Sequence, residues 1–400
     1  MKIAINWPPD ESFVSSVMYE GLMFIESESP GGDLTVLKKK LLDHSQLERK
    51  NHAGNHNRSQ ETAAPTADGE ESAEASFGEG GEHSISLMRL PLVGNDLKLK
   101  ELKELGERHG VSIKGIASLI NLVDKLGVTD MDIYRGLFNN SYLIGLKSFL
   151  EKPKDPKFPL QIMKLDRYQG FSVLERSLFK KQISVYMDPA ALVVFLSGLV
   201  SSYVTNVGAD HYFLLFGSSV LPEALRNPER WMAIKAKFKD DLREDVWRVR
   251  NNEELIALSV LLSTAGIRSA KENKLDRLSL RVIRVVNEGK AFKVYNAIPL
   301  EILLKGGPYS DLDELERLQR LSKGLMSSAS AFLAGRGNMD EGRHAYLALK
   351  ELALFMATGD QAHRYAMLRE MYSAEKALSK SGSQEKYTSM IYWALANHQK

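Results

Sequence analysis

Four hundred residues with 44% hydrophobic content, a formal net charge of +2 and no cysteine set the first bounds on this chain. That apolar fraction is ample for a buried core, and the length corresponds to two or three domains of roughly 150 residues each. The absence of cysteine excludes disulfides, thiolate metal sites and cysteine nucleophiles, and points to a cytoplasmic protein that needs no oxidative crosslinks.

Residues 2–6 alternate as a strand until Trp7-Pro8-Pro9 ends it, and Asp10-Glu11-Ser12 supplies an N-cap and an acidic first turn for a helix to about Phe24. The opening MKIAINWPPDES has neither the basic region nor the apolar core of a signal peptide. No run approaches about 18 consecutive apolar residues, so no membrane segment is expected. Residues 44–83 are dominated by Asn, His, Gly, Ser, Ala, Thr and Glu, with Phe77 as their one aromatic, and read as a low-complexity acidic insertion or long surface loop. Its stretch 60–82 holds seven acids and no Lys or Arg; without those seven the net charge of +2 becomes +9, a surplus that favours polyanionic partners. Strand character resumes at 84–93, which places the insertion inside a domain.

Two helices follow at 97–109 and 112–126, each closed by a glycine (Gly110, Gly127), in helix-turn-helix-like spacing that compact helical hairpins share. Residues 147–181 are punctuated by proline and carry nine Lys or Arg against four acids. A helix over 190–206 precedes a buried strand over 210–216, and helices are expected at 222–239 and 241–265. Then comes the sharpest feature of the chain, residues 268–295, with eight Lys or Arg against three acids around a hairpin whose turn is Asn287-Glu288-Gly289-Lys290. Arg277, Arg281 and Arg284 on one strand face Lys290 and Lys293 on the other, a two-stranded ribbon suited to a groove or a phosphate backbone. The remainder is helical, at 311–334, 340–357, 361–378 and 384–397, for which a four-helix bundle is the natural packing. The expected fold is therefore helix-rich α+β. An α/β N-terminal region with the basic β-hairpin covers 1–306, with its insertion at 44–83, and a C-terminal four-helix bundle covers 307–400.

Catalytic motifs are scarce. There is no Walker A loop and no GxGxxG after a strand, and Gly78-Glu79-Gly80-Gly81 is acidic where a phosphate cradle is not. Ser197, Ser201, Ser202 and Ser218 lack a GxSxG context. His52 and His56 have helical spacing but no accompanying zincin glutamate, so neither metal nor cofactor is expected. Tyr186, Tyr203 and Tyr212 have the chemistry to stack bases, yet their Val and Leu neighbours mark core. His344 and His363, near Arg336, Arg343 and Arg364, raise a metal-independent helical-domain ribonuclease, although the Arg-to-His spacing of that class is not met.

Taken together, the α/β lobe, the stretch FLSGLVSSYVTNVGADHYFLLFGSS at 195–219, the basic hairpin and the helical C-terminal bundle resemble the large subunit of archaeal type I-A CRISPR effector (Cascade) complexes. The resemblance spans most of the chain except the acidic insertion, which departs from it. It implies a non-catalytic, DNA-binding subunit of a crRNA-guided antiviral surveillance complex. Such a subunit recognises the protospacer-adjacent motif in duplex DNA, helps open the duplex, contacts other effector subunits and recruits the helicase-nuclease, while guide pairing reads the sequence. No local pattern identifies a motif-reading residue. The competing expectations are the ribonuclease and a structural scaffold whose bundle docks another helical subunit, which an apolar stripe left open on 361–378 would favour.

Overall fold

The computed structural model describes residues 13–28, 36, 37, 39, 97–113, 116–126, 158–164, 184–187, 189–249, 252–287, 292–380 and 386–395. The expected strands at 2–6 and 84–93, the insertion at 44–83, the hairpin turn from Glu288 and most of the basic segment 147–181 lie outside the described residues. The fold is helix-rich α+β. Two units compose it, one of Met1–Pro8, Phe24–Ser201 and Gly289–Ala291, the other of Pro9–Met23, Ser202–Glu288 and Phe292–Lys400. Helix α1 (Phe13–Glu28) crosses from the second to the first.

In the first unit, α2 (Leu97–Arg108) ends at Gly110, whose φ of 64° is left-handed, and the Val111 N–H returns to the Gly106 carbonyl at 2.7 Å. A β-carbon at position 106 would stand 2.5 Å from the Val111 carbonyl oxygen, so this reversal requires glycine. Lys125, at the end of α3 (Ile116–Lys125), donates to the His109 carbonyl at 3.0 Å and ties the expected helical pair together. Strands β1 (Phe158–Lys164) and β2 (Ser184–Met187) pair antiparallel. Helix α4 (Pro189–Ser202) is buried throughout 192–200, where Ser197 turns its hydroxyl onto the Val193 carbonyl at 2.8 Å. The expected helix continues to residue 206; the chain instead leaves it at Ser202, because Tyr203-Val204-Thr205 is an aromatic and β-branched run that packs as strand.

The second unit is built on an antiparallel sheet of order β3-β4-β5-β6, formed by Tyr203–Val207, Asp210–Phe216, Arg277–Asn287 and Phe292–Leu303. Strand β4 is buried along its whole length, as its sequence DHYFLLF predicts. On one face Phe213 meets Phe13 of α1 edge-on at 5.2 Å; on the other, Phe216 meets Trp231 at 5.5 Å. Beside Phe216, Glu20 accepts the backbone N–H of that residue at 2.8 Å and forms a fully buried ion pair with Lys235. Desolvation lowers the Lys235 pKa, with the Glu20 carboxylate opposing that shift.

Where two helices were expected at 222–239 and 241–265, four stand between 221 and 272, and the break expected at 240 lies inside one of them. They are α5 (Leu221–Arg226), α6 (Pro228–Val249), α7 (Glu253–Leu261) and α8 (Thr264–Glu272). Pro228 cannot continue a helix from Asn227, while Asn252 and Ser263 cap new ones by accepting the N–H groups of Leu255 at 3.0 Å and Gly266 at 3.2 Å. After the 3₁₀ turn Gly307–Tyr309 come α9 (Leu312–Leu333), α10 (Met339–Thr358), α11 (Gln361–Lys380) and α12 (Thr388–Leu395), the four helices expected here. Asp311 and Asn338 cap α9 and α10, and the left-handed Gly359 (φ 73°) ends α10. The bundle is continuous with the rest of its unit: Thr264 donates to Gln319 at 2.8 Å, and Tyr346 to Glu254 at 2.9 Å.

Candidate nucleic-acid interface

Among the described hairpin residues, Arg277, Arg281 and Arg284 do not share one open surface. Strand β5 has neighbours on both sides, paired with β4 from Leu280 to Val286 and with β6 along its full length, so this part of the basic ribbon is sheet interior. Arg284 is only 20% exposed; its Nε donates to Asp210 at 2.8 Å, Nη1 lies 3.9 Å from Glu253, and the guanidinium stacks on Tyr295 at 5.1 Å. Burial opposes its charge, but the hydrogen bond and charge of Asp210, with Tyr212 and Glu253, outweigh it and raise the pKa. Arg281 is half-buried and donates to Ser16 of α1 at 3.3 Å. Its side chain and that of Arg284 lie on opposite faces of the sheet, being three residues apart on a strand with period two. Arg277 is exposed at the start of β5, opposite Leu303. Lys290 lies outside the described residues, and Lys293 is placed in β6 opposite Val286 by its backbone alone.

Helix α11 presents a different surface. Beyond its first turn, its exposed residues are Tyr365, Arg369, Tyr372, Lys376, Ser379 and Lys380, with no acid among them. Spacings of four, three and four residues place Tyr365, Arg369, Tyr372 and Lys376 along one helical stripe. Tyr365 is 55% exposed, Tyr372 64% and the Arg369 side chain 76%. Arg369 has the Glu370 carboxylate 3.8 Å away; Lys376 and Lys380 have no ion pair among the described residues.

The acids of α11 are turned inward. Glu370 Oε2 lies 2.8 Å from Nδ1 of His344 on α10, and Glu375 accepts the N–H groups of Lys386 and Tyr387 at the approach to α12. Arg364 is likewise turned inward, 2.6 Å from Glu314 and stacked on Phe355. A reciprocal bridge joins His363 of α11 to Glu351 of α10, again at 2.8 Å. The two bridges bind an antiparallel pair of helices at positions one heptad apart.

Toward the C-terminal end of the stripe, Asn338, Asp340 and His344 of the α10 end and Ser373, Lys376, Ala377 and Lys380 of α11 line an open cleft of about 560 Å³. With Nδ1 committed to Glu370, His344 retains Nε2 as its second polar atom. His363 is not among the residues that line this cleft. Among the described residues, no three of His, Asp and Glu come together as a metal-binding group, and no helix is long and apolar enough to cross a membrane. Tyr203 and Tyr212, considered above as base-stacking residues, are core; burial and Asp210 push the Tyr212 hydroxyl well above the ordinary tyrosine range.

No family model matches this chain, and no solved structure matches it. It is 25% identical over 407 aligned positions to an uncharacterized protein from Archaeoglobus fulgidus, an alignment that covers 95% of this chain and 94% of that protein.

Proposed function

We propose that this protein is a nucleic-acid-binding component of a CRISPR RNA-guided antiviral complex, its non-catalytic large subunit. The observation that carries nucleic-acid binding is the acid-free stripe of α11, where tyrosines alternate with Arg369, Lys376 and Lys380. Exposed cations bind phosphates and release counterions, Lys376 and Lys380 here having no ion pair among the described residues, and exposed aromatic rings beside them offer bases a surface. An aliphatic stripe would favour docking of another helix; this one is aromatic and cationic. The effector-complex context rests on the resemblance of the 195–219 stretch, hairpin and C-terminal helices. In that context the partners are duplex DNA with its protospacer-adjacent motif, crRNA, the other effector subunits and the helicase-nuclease.

Salt-titrated binding of the full chain to duplex DNA, single-stranded DNA and RNA, with cleavage followed in the same samples, tests the reading. Salt-sensitive binding without cleavage is expected. The triple change R369A/K376A/K380A should flatten the log-log salt slope by about 0.7 per lost contact on single strands, or about 0.9 on duplex. Absence of binding, or a slope untouched by the triple change, rejects the α11 assignment.

A second reading, the metal-independent ribonuclease, is favoured by one feature: His344, bonded to Glu370, lines a cleft that also holds Lys376 and Lys380. A histidine oriented by a carboxylate is a serviceable general base, and lysines beside it suit a phosphodiester. RNA cleavage in excess chelator, abolished by His344→Ala, would move the assignment to this reading.

A further inference from the structure

We infer that the α11 stripe takes single-stranded rather than duplex nucleic acid, with unstacked bases seated on Tyr365 and Tyr372 and the backbone on the cations between and beyond them. The inference rests on the reading of this face as a nucleic-acid interface and specifies its ligand. A duplex offers a flat protein surface its phosphates and keeps the faces of its bases stacked inside, so two outward tyrosine rings gain little from it. A single strand has base faces to give, and an exposed aromatic ring accepts any of them.

The spacing fits such a track. The tyrosines are seven positions apart on the helix, about 10.5 Å at 1.5 Å per residue, or about three steps at the roughly 3.4 Å spacing of a stacked strand. Arg369 lies between the rings in helical register, four residues after Tyr365 and three before Tyr372, where its side chain can meet a phosphate or stack on a base itself. Lys376 and Lys380 continue the line at successive four-residue steps and enter the 560 Å³ cleft, which gives the strand a recessed exit. Asp340 is the acid in that cleft, and it stands on the opposite wall, on α10. The inward commitment of Glu375, and of Glu370 Oε2 to His344, lowers the repulsion a polyanion meets along the stripe, with Glu370 Oε1 3.8 Å from Arg369 as the remaining carboxylate oxygen there. An acidic protein segment would find the same cations but has no need of two stacking surfaces.

Fluorescence anisotropy with the full chain separates the possibilities, using a 12-mer of deoxythymidine, the same length of abasic strand, and a 12-base-pair duplex. The thymidine strand should bind more tightly than the abasic strand or the duplex. Tyr365→Ala and Tyr372→Ala should each weaken thymidine-strand binding on the order of tenfold, while phenylalanine at either position restores most of it. The alanine changes should leave abasic-strand and duplex binding unaltered. Tyr372 is 64% exposed, so its alanine variant should keep the wild-type melting temperature, and the phenylalanine variants control for folding at both positions. A wild-type preference for duplex, or equal response of all three probes to the alanine changes, overturns the single-strand inference and leaves nucleic-acid binding standing. Failure of every probe to bind overturns both.

Discussion

Arg284 and His211 show how far a residue's chemistry depends on partners that its neighbours in sequence do not announce. Counted along the chain, residues 268–295 are the most basic run, but the acid that occupies Arg284 stands 74 residues earlier and the hydroxyl that receives Arg281 lies 265 residues earlier. The local count therefore overstated the free charge of the hairpin. Arg284→Gln should leave Asp210 nearly buried without its cation and cost about 2 kcal/mol or more in urea unfolding, with no change in the salt slope of nucleic-acid binding. A lowered slope would return Arg284 to the interface. His211, buried beside Tyr203, has its pKa lowered to about 4 by desolvation, with the Asp210 charge opposing that shift. Its folded form refuses a proton that the unfolded chain accepts below the ordinary histidine value of 6.5, so the unfolded state binds more protons between pH 6.5 and 4 and stability falls as the pH falls through that window. Between pH 7 and 5 the loss should be about 2 kcal/mol, read from urea midpoints, and His211→Gln should remove most of that dependence.

At the scale of elements, what the sequence displayed depended on whether the deciding interaction was local. Periodicity and breakers placed the four C-terminal helices and strand β4 with little error, because apolar spacing, Asp311, Asn338 and Gly359 act within a few residues. The expected long helices at 222–239 and 241–265 failed where short-range capping by Asn252 and Ser263, and the proline at 228, outweighed a continuous apolar pattern. The α11 stripe was hidden for the opposite reason. Glu370 and Glu375 sit among its cations in sequence, and only the helical phase and their partners on α10 and at the start of α12 turn them inward. A helical projection of 361–380, rather than a charge count, carries the signal. Burial opposes the charge of Glu341 at the head of α10, but hydrogen bonds from Ser328, Tyr387 and Lys386 prevail and hold its pKa below the ordinary value. Glu341→Ala leaves the Tyr387 hydroxyl and the Lys386 ammonium without their carboxylate acceptor, and should lower stability by about 2–3 kcal/mol. Hydrogen exchange should locate that loss in α12 and the 386–388 approach, and Tyr387→Phe should reproduce only part of it.

For the whole molecule, the sequence divides naturally at 306 into a mixed region and a helical one, whereas contacts place β3 to β6 and α9 to α12 in a single unit. Composition changes at 306, but the bonds that cross this point are tertiary: Thr264 to Gln319, Arg268 to Glu316, Tyr346 and Lys350 to Glu254. Surface ion pairs among these contribute little individually, and the polar links mark where α7 and α8 lie against α9 and α10. If this packing is cooperative, sheet and C-terminal helices unfold together. In hydrogen exchange under rising urea, amides of β4 and β5 should therefore lose protection at the same denaturant concentration as those of α9 and α10. A chain ending at residue 306 should in turn lose its cooperative transition, since α7 and α8 would expose the surfaces that α9 and α10 cover. Helices that lost protection well before the sheet, or a soluble and cooperatively melting 1–306 fragment, would show the C-terminal bundle to be a separable domain. The α11 stripe would then have to be tested for binding on that bundle alone.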